Sequence, residues 1–118
     1  LIFQIQDITD KKLAEERLQH DATHDALTGL PNRKCFMMRL EKALQMADEN
    51  PKHKVSVLFI DLDRFKYVND SLGHQTGDSL LIGIAERLRE CLRPKDLVAR
   101  LGGDEFTILV EGHHQAEE

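Results

Sequence analysis

Six consecutive residues, Val55-Ser56-Val57-Leu58-Phe59-Ile60, narrow the possible folds more than any other stretch of this chain. The run is partly β-branched and, Ser56 apart, apolar on both faces, which predicts a central strand covered on both sides. Such a strand needs helices above and below it, and the flanking sequence supplies them. Before it, Pro31 suits a first helical turn, Phe36, Leu40, Ala43, Leu44 and Ala47 recur at helical spacing, and Asn50-Pro51 ends the pattern. After it, a turn at Gly77-Asp78 leads into a second amphipathic helix, with Leu80, Leu81, Ile84, Leu88, Cys91 and Leu92 inward, stopping at Pro94. Residues 97–101 and 106–110 then read as two strands joined through Gly102-Gly103-Asp104-Glu105. The order helix, strand, helix, hairpin predicts an α/β (α+β) sheet domain with helical cover.

The amino-terminal part is different. Residues 1–8 alternate apolar and polar, which predicts a short strand with no partner nearby, the end of a preceding sheet domain. Thr9 or Asp10 can cap a helix running from Lys11 to about His20. Its apolar stripe (Ala14, Leu18, Ala22) is thin, so it reads as a solvated linker or as a signalling coiled coil. At 118 residues the chain fits one domain, or one domain plus a fragment of another, and its start suggests a piece of something longer. Sixteen Lys and Arg against twenty-one Asp and Glu exclude a protein that binds by coating nucleic-acid phosphates. No apolar run approaches the roughly 20 residues that cross a bilayer. Cys35 and Cys91 form no CxxC and are expected as reduced thiols in the core of a cytoplasmic domain.

The chemistry concentrates in a few acids. Asp61 and Asp63, two apart at the carboxyl end of the strand, share a face where open sheets bind ligands. They suit a hard cation such as Mg²⁺, although a D-x-D alone more often caps a turn or pairs with neighbours such as Arg64 and Lys66. Asp104 and Glu105 sit at the hairpin tip, and a hairpin pairing beside the strand brings them near Asp61. Lys66 can meet a phosphate as a point charge. Asn69 and Asp78 can together read a purine edge, although each singly is a routine turn residue, and Asn69, Gly73 and Gly77 look like loop punctuation. His20, His24, His53, His74, His113 and His114 show no metal-ligand spacing, and no Walker or Rossmann phosphate motif occurs.

The stretches Asp25-Ala26-Leu27-Thr28-Gly29-Leu30-Pro31-Asn32-Arg33, Phe59-Ile60-Asp61-Leu62-Asp63-Arg64-Phe65-Lys66-Tyr67-Val68-Asn69-Asp70, Gly73-His74-Gln75-Thr76-Gly77-Asp78 and Gly102-Gly103-Asp104-Glu105-Phe106 closely resemble the GGDEF domain of diguanylate cyclases. Phe3 to Lys12 resembles the last strand of a PAS sensor domain and its exit helix. The resemblance divides the chain into a PAS end (1–8), a signalling linker helix (9–25) and the first part of a GGDEF domain (26–118). It implies a nucleotidyl-cyclase, polymerase-palm-like fold.

It also implies condensation of two GTP into cyclic di-GMP and two pyrophosphates by an antiparallel homodimer, formed through the GGDEF domain and the linker helix. Carried over residue by residue, Asp61, the Leu62 carbonyl and Asp104 hold Mg²⁺ (or Mn²⁺), and Glu105 acts at the metal or accepts the 3′-hydroxyl proton. Lys66 and the backbone around Arg64 and Phe65 hold phosphates, and Asn69 and Asp78 bind guanine. Arg93-Pro94-Lys95-Asp96 fits the RxxD site through which product inhibits, with Arg93 and Asp96 as its ligands. The alternative is a non-catalytic module that binds GTP or cyclic di-GMP and controls a neighbouring domain such as an EAL phosphodiesterase. Family domains continue past the hairpin with a Lys and an Arg that grip the triphosphate. Activity is therefore expected of a cytoplasmic parent, free or membrane-tied, whereas the 118 residues alone are expected to be inactive, poorly folded or completed by a second copy.

Overall fold

The computed structural model describes residues 2–113, with side chains from 11 to 112. The elements are α1 (Ile2–Thr23), α2 (Arg33–Glu49), β1 (His53–Asp61), α3 (Phe65–Leu72), α4 (His74–Cys91), β2 (Leu97–Gly102) and β3 (Glu105–His113). The strands form one antiparallel sheet in the order β1-β3-β2. The middle strand is thus β3, which buries Phe106, Thr107, Ile108 and Leu109 in succession. β1 is an edge strand among the described residues, contrary to the expectation of a central one. An apolar run reports how a strand is covered, and the pairing partner that decides its place lies elsewhere in the chain. Leu58 and Phe59 remain 47% and 74% exposed.

Alternation along the strands divides the core in two. On one face Phe106, Ile108 and Val98 pack with Leu81 and Ala85 of α4 and with Leu30. On the other, Leu109 and Ala99 pack with Phe36 and Ala43 of α2. The buried Thr107 hydroxyl donates to the Leu58 carbonyl at 3.0 Å, so the polar interruption in β3 is satisfied.

The helices depart from expectation in instructive ways. Asn32, not Pro31, starts α2: its side-chain oxygen accepts from the Cys35 N–H at 3.0 Å. Leu44 lies exposed, off the Phe36–Ala43 stripe. α4 begins at His74, directly after Gly73 in a positive-φ conformation (φ 93°), so Gly77-Asp78 is inside the helix and not a turn. Its stripe runs through Gly77, Leu81 and Ala85, and Leu80 and Cys91 fall outside it and are exposed. α3 was not expected, because Asn69, Asp70 and Ser71 are poor helix formers, and packing on α4 overrides that weak propensity. α1 is continuous from Ile2, so where a strand was expected over 1–8 the described residues 2–8 are helix. An unpaired strand leaves its backbone N–H and C=O groups unsatisfied, whereas a helix bonds them internally. Residues 11–22 of α1 are exposed, including all of the thin stripe.

Candidate active site

The β1–β3 register sets Asp61 directly opposite Glu105. Both occupy positions in phase with Val57 and Leu109, so they share the α2 side of the sheet. The β2–β3 turn is tight: Gly102 pairs with Glu105, leaving Gly103 and Asp104 at the bend. Gly102 (φ 145°) and Gly103 (φ 50°) adopt conformations that side-chain-bearing residues rarely reach. The ladder skips Leu101 between Arg100 and Gly102, a bulge that re-aims the tip. The Asp104 carbonyl then accepts from the Leu62 N–H at 3.3 Å, tying the tip to the end of β1. Asp63 lies past the strand in a turn, so it does not share a strand face with Asp61 as expected.

Three carboxylates are thereby brought together. The Asp104 charge pushes the Asp61 carboxyl above its ordinary value, and a hydrogen bond with Asp104, partial desolvation and the charges of Glu105 and Asp63 add to the effect. A cation placed among them would relieve that repulsion. Asp61, Asp104 and the Leu62 carbonyl are all hard oxygen donors and fit Mg²⁺, which keeps room in its shell for water and phosphate oxygens. Among the described residues no three His, Cys, Asp or Glu side chains form a group that could hold a metal ion by themselves. A cleft of about 340 Å³ lies beside the acids, lined by Arg33, Phe59, Asp61, Leu101 and Glu105.

The remaining residues named from sequence fall into two places. Arg64, in the left-handed conformation (φ 61°), turns the chain from β1 into α3. Phe65 packs into the α4-side core, and Lys66 stands exposed one residue on. Asn69 faces Gly77, where any added Cβ would collide with the amide oxygen. That oxygen is buried and has no hydrogen-bond partner. Asp78 follows Gly77 in α4 and is exposed, so Asn69 and Asp78 both belong to the α3–α4 junction. Arg93 and Asp96 lie at the other end of β2 from the acidic turn. There Arg93 donates to Asp96 through Nε (3.1 Å) and Nη2 (3.0 Å), and the Arg93 N–H donates to the same carboxylate at 3.1 Å.

Sequence reading missed three groups. Arg100, in an otherwise apolar strand, donates both to Asp25 and to the Gly103 carbonyl. A half-buried cation in such a strand demands a partner, and that was the available signal. Arg33 lines the acidic cleft from the start of α2. His53, given no role, is buried with its Nε2 at 2.9 Å from Glu111, which Arg39 also approaches at 3.7 Å. These line a separate cavity of about 440 Å³ that includes none of the three converging acids.

Residues 22–118 match the family model for the diguanylate cyclase GGDEF domain. Diguanylate cyclase TpbB of Pseudomonas aeruginosa is 57% identical over 93 residues, covering 79% of this chain and 21% of that protein. An N-terminally truncated TpbB comprising only the GGDEF domain superposes with a TM-score of 0.70 at 57% identity, over 74% of this chain and 50% of that one. The coiled coil and GGDEF domain of DgcB from Caulobacter crescentus, in complex with c-di-GMP, gives 0.84 at 31% identity, over 98% of this chain and 60% of that one. The chain thus spans about a fifth of the length of TpbB. With residues 22–118 matched and relatives this similar, the chain belongs to the diguanylate cyclase GGDEF domain family.

Proposed function

We propose that the parent protein condenses two GTP into cyclic di-GMP and two pyrophosphates, with this domain binding one GTP in each protomer of an antiparallel homodimer. The observation that carries the reading is the convergence of Asp61, Asp104 and Glu105 at one corner of the sheet. The naming of TpbB as a diguanylate cyclase and the c-di-GMP bound to DgcB support the same nucleotide chemistry.

In each half-reaction a 3′-hydroxyl oxygen bonds to the α-phosphorus of the partner's GTP, the bond to the β-phosphate oxygen breaks, and pyrophosphate leaves. A bound Mg²⁺ (or Mn²⁺) supplies charge stabilisation at the attacked phosphate and lowers the pKa of the hydroxyl. Asp61, the Leu62 carbonyl and Asp104 would hold that ion, and Glu105 would take up the released proton or join them in holding it. Lys66 and the backbone of Arg64 and Phe65 bind phosphate oxygens at the start of α3. Guanine binds at the α3–α4 junction, where the Asn69 amide can meet its edge and the Asp78 carboxylate can accept from N1–H and N2–H. Arg93 and Asp96 form the inhibitory product site.

Residues 9–25 act as the signalling linker and 26–118 as the first part of the GGDEF domain. The strand that a PAS end would supply is helix from Ile2 onward, so the sequence pattern of Phe3 to Lys12 is all that links this end to a PAS sensor. No described helix is long and apolar enough to cross a membrane, and a cytoplasmic site of action follows from the supply of GTP.

The test is incubation of the full-length parent with GTP and Mg²⁺, with nucleotides resolved by chromatography. Cyclic di-GMP should form, and Asp61→Asn or Glu105→Gln should lower its rate by about 10²-fold or more while leaving the thermal midpoint near that of the unsubstituted protein. Binding of GTP or cyclic di-GMP with no turnover would favour the regulatory-module reading instead.

A further inference from the structure

The guanidinium of Arg100 is engaged on two sides. Nη1 donates to both Asp25 carboxylate oxygens at 2.9 and 3.1 Å, while Nε and Nη2 donate to the Gly103 carbonyl at 3.1 and 2.8 Å. Gly103 immediately precedes Asp104 in the tight turn, so this fork grips the backbone from which two of the converging acids project. Asp25 is itself held: its Oδ2 accepts from the Thr28 N–H at 2.9 Å and the Thr28 hydroxyl at 2.8 Å. The surrounding loop is stitched on both sides. Asn32 donates through its N–H to the Thr23 carbonyl (2.9 Å) and through Nδ2 to Ala22 (3.0 Å), both in the last turn of α1. The Arg100 N–H donates to the Pro31 carbonyl at 3.0 Å. An unbroken set of bonds therefore runs from the exit of α1, through Asp25 and Arg100, to the turn bearing Asp104 and Glu105.

We infer that Arg100, oriented by Asp25, is a positioning residue that fixes the acidic turn through the Gly103 carbonyl and makes its geometry answer to the exit of α1. The inference rests on the cyclase reading of that turn. Neither side chain contacts the reacting groups. Their role follows from geometry: charge-assisted bonds from a planar fork restrain a backbone that two glycines would otherwise leave free. A lysine ammonium is a point charge and cannot hold two partners in the same fixed plane. The Asp25–Arg100 pair is largely shielded, with the two side chains 18% and 14% exposed, so solvent competes weakly for it.

Two readouts in the full-length parent test this. The first is independent of turnover: amide hydrogen exchange at residues 102–105 should speed up by about tenfold in Arg100→Lys and more in Arg100→Ala, while Ile108 and Leu109 keep their protection. The second is kinetic. Both variants should lose about 10- to 100-fold in kcat with little change in KM for GTP, because guanine and phosphate contacts are untouched. Reversing the pair (Asp25→Arg with Arg100→Asp) should restore thermal stability but not kcat, since an arginine at 25 no longer grips Gly103. Unchanged exchange at the turn in a folded Arg100→Lys protein overturns the inference, as does full kcat in the reversed pair. If the unsubstituted parent makes no cyclic di-GMP, the cyclase reading fails and the exchange result still decides whether Arg100 orders the turn.

Discussion

Asn69 and Gly77 show how a single residue's role depends on its neighbour. Read as sequence, both look like loop punctuation, whereas in the fold they lie within α3 and α4 and touch across the helix junction. Glycine at 77 is required by close approach and not by backbone conformation, because a Cβ there meets the Asn69 amide. Gly77→Ala should therefore destabilise the domain by about 1–3 kcal/mol, read from urea or thermal unfolding of the parent's GGDEF domain. If Asn69 binds guanine, the same change should raise KM for GTP. A stable variant with unaltered KM would separate Asn69 from the nucleotide. The acids were easier to read. Asp61, Asp104 and Glu105 carry chemistry that hardly any structural role explains when they converge, whereas Asn69 has many ordinary uses.

At the scale of elements, β2 separates two sites. Its six residues extend roughly 17–20 Å at the usual strand rise, with the acidic turn at one end and the Arg93–Asp96 loop at the other. In that loop the hydrogen bond from Arg93 is the main influence on Asp96. It outweighs the opposing desolvation, and with the Arg93 N–H and the Arg93 and Lys95 charges it holds the carboxyl below its ordinary value. A depressed carboxyl contributes stability that is fully present above about pH 4 and is lost as pH falls through the lower folded value. Arg93→Ala should therefore flatten the acid limb of a stability–pH curve and, in the parent, relieve inhibition by added cyclic di-GMP. An inhibition curve that does not move would assign Arg93 to the loop alone. Amphipathic spacing made α2 and α4 legible, but α3 was not, because eight residues of weak propensity carry too little periodic signal.

At the scale of the whole molecule, the outer edge of β1 has no partner strand among the described residues, and Leu58 and Phe59 lie exposed on that strand. An uncovered edge with apolar neighbours is a template for pairing with another strand. The 118-residue chain alone should self-associate with rising concentration in sedimentation equilibrium, and Phe59→Lys should shift it toward monomer. A chain that stays monomeric throughout would remove the edge from consideration.

The sequence by itself determined the chemistry and the local grammar: which acids can serve a hard cation, where glycines permit a bend, and which faces of two helices are apolar. These follow from residue type and from spacing within one element. Only the tertiary structure decided that β3 and not β1 is central, that Asp61 pairs with Glu105, that Asn69 leans on Gly77, and that Arg100 ties Asp25 to the turn. Each depends on contacts between residues far apart in the chain, and residue type and local periodicity alone do not fix which distant segments meet.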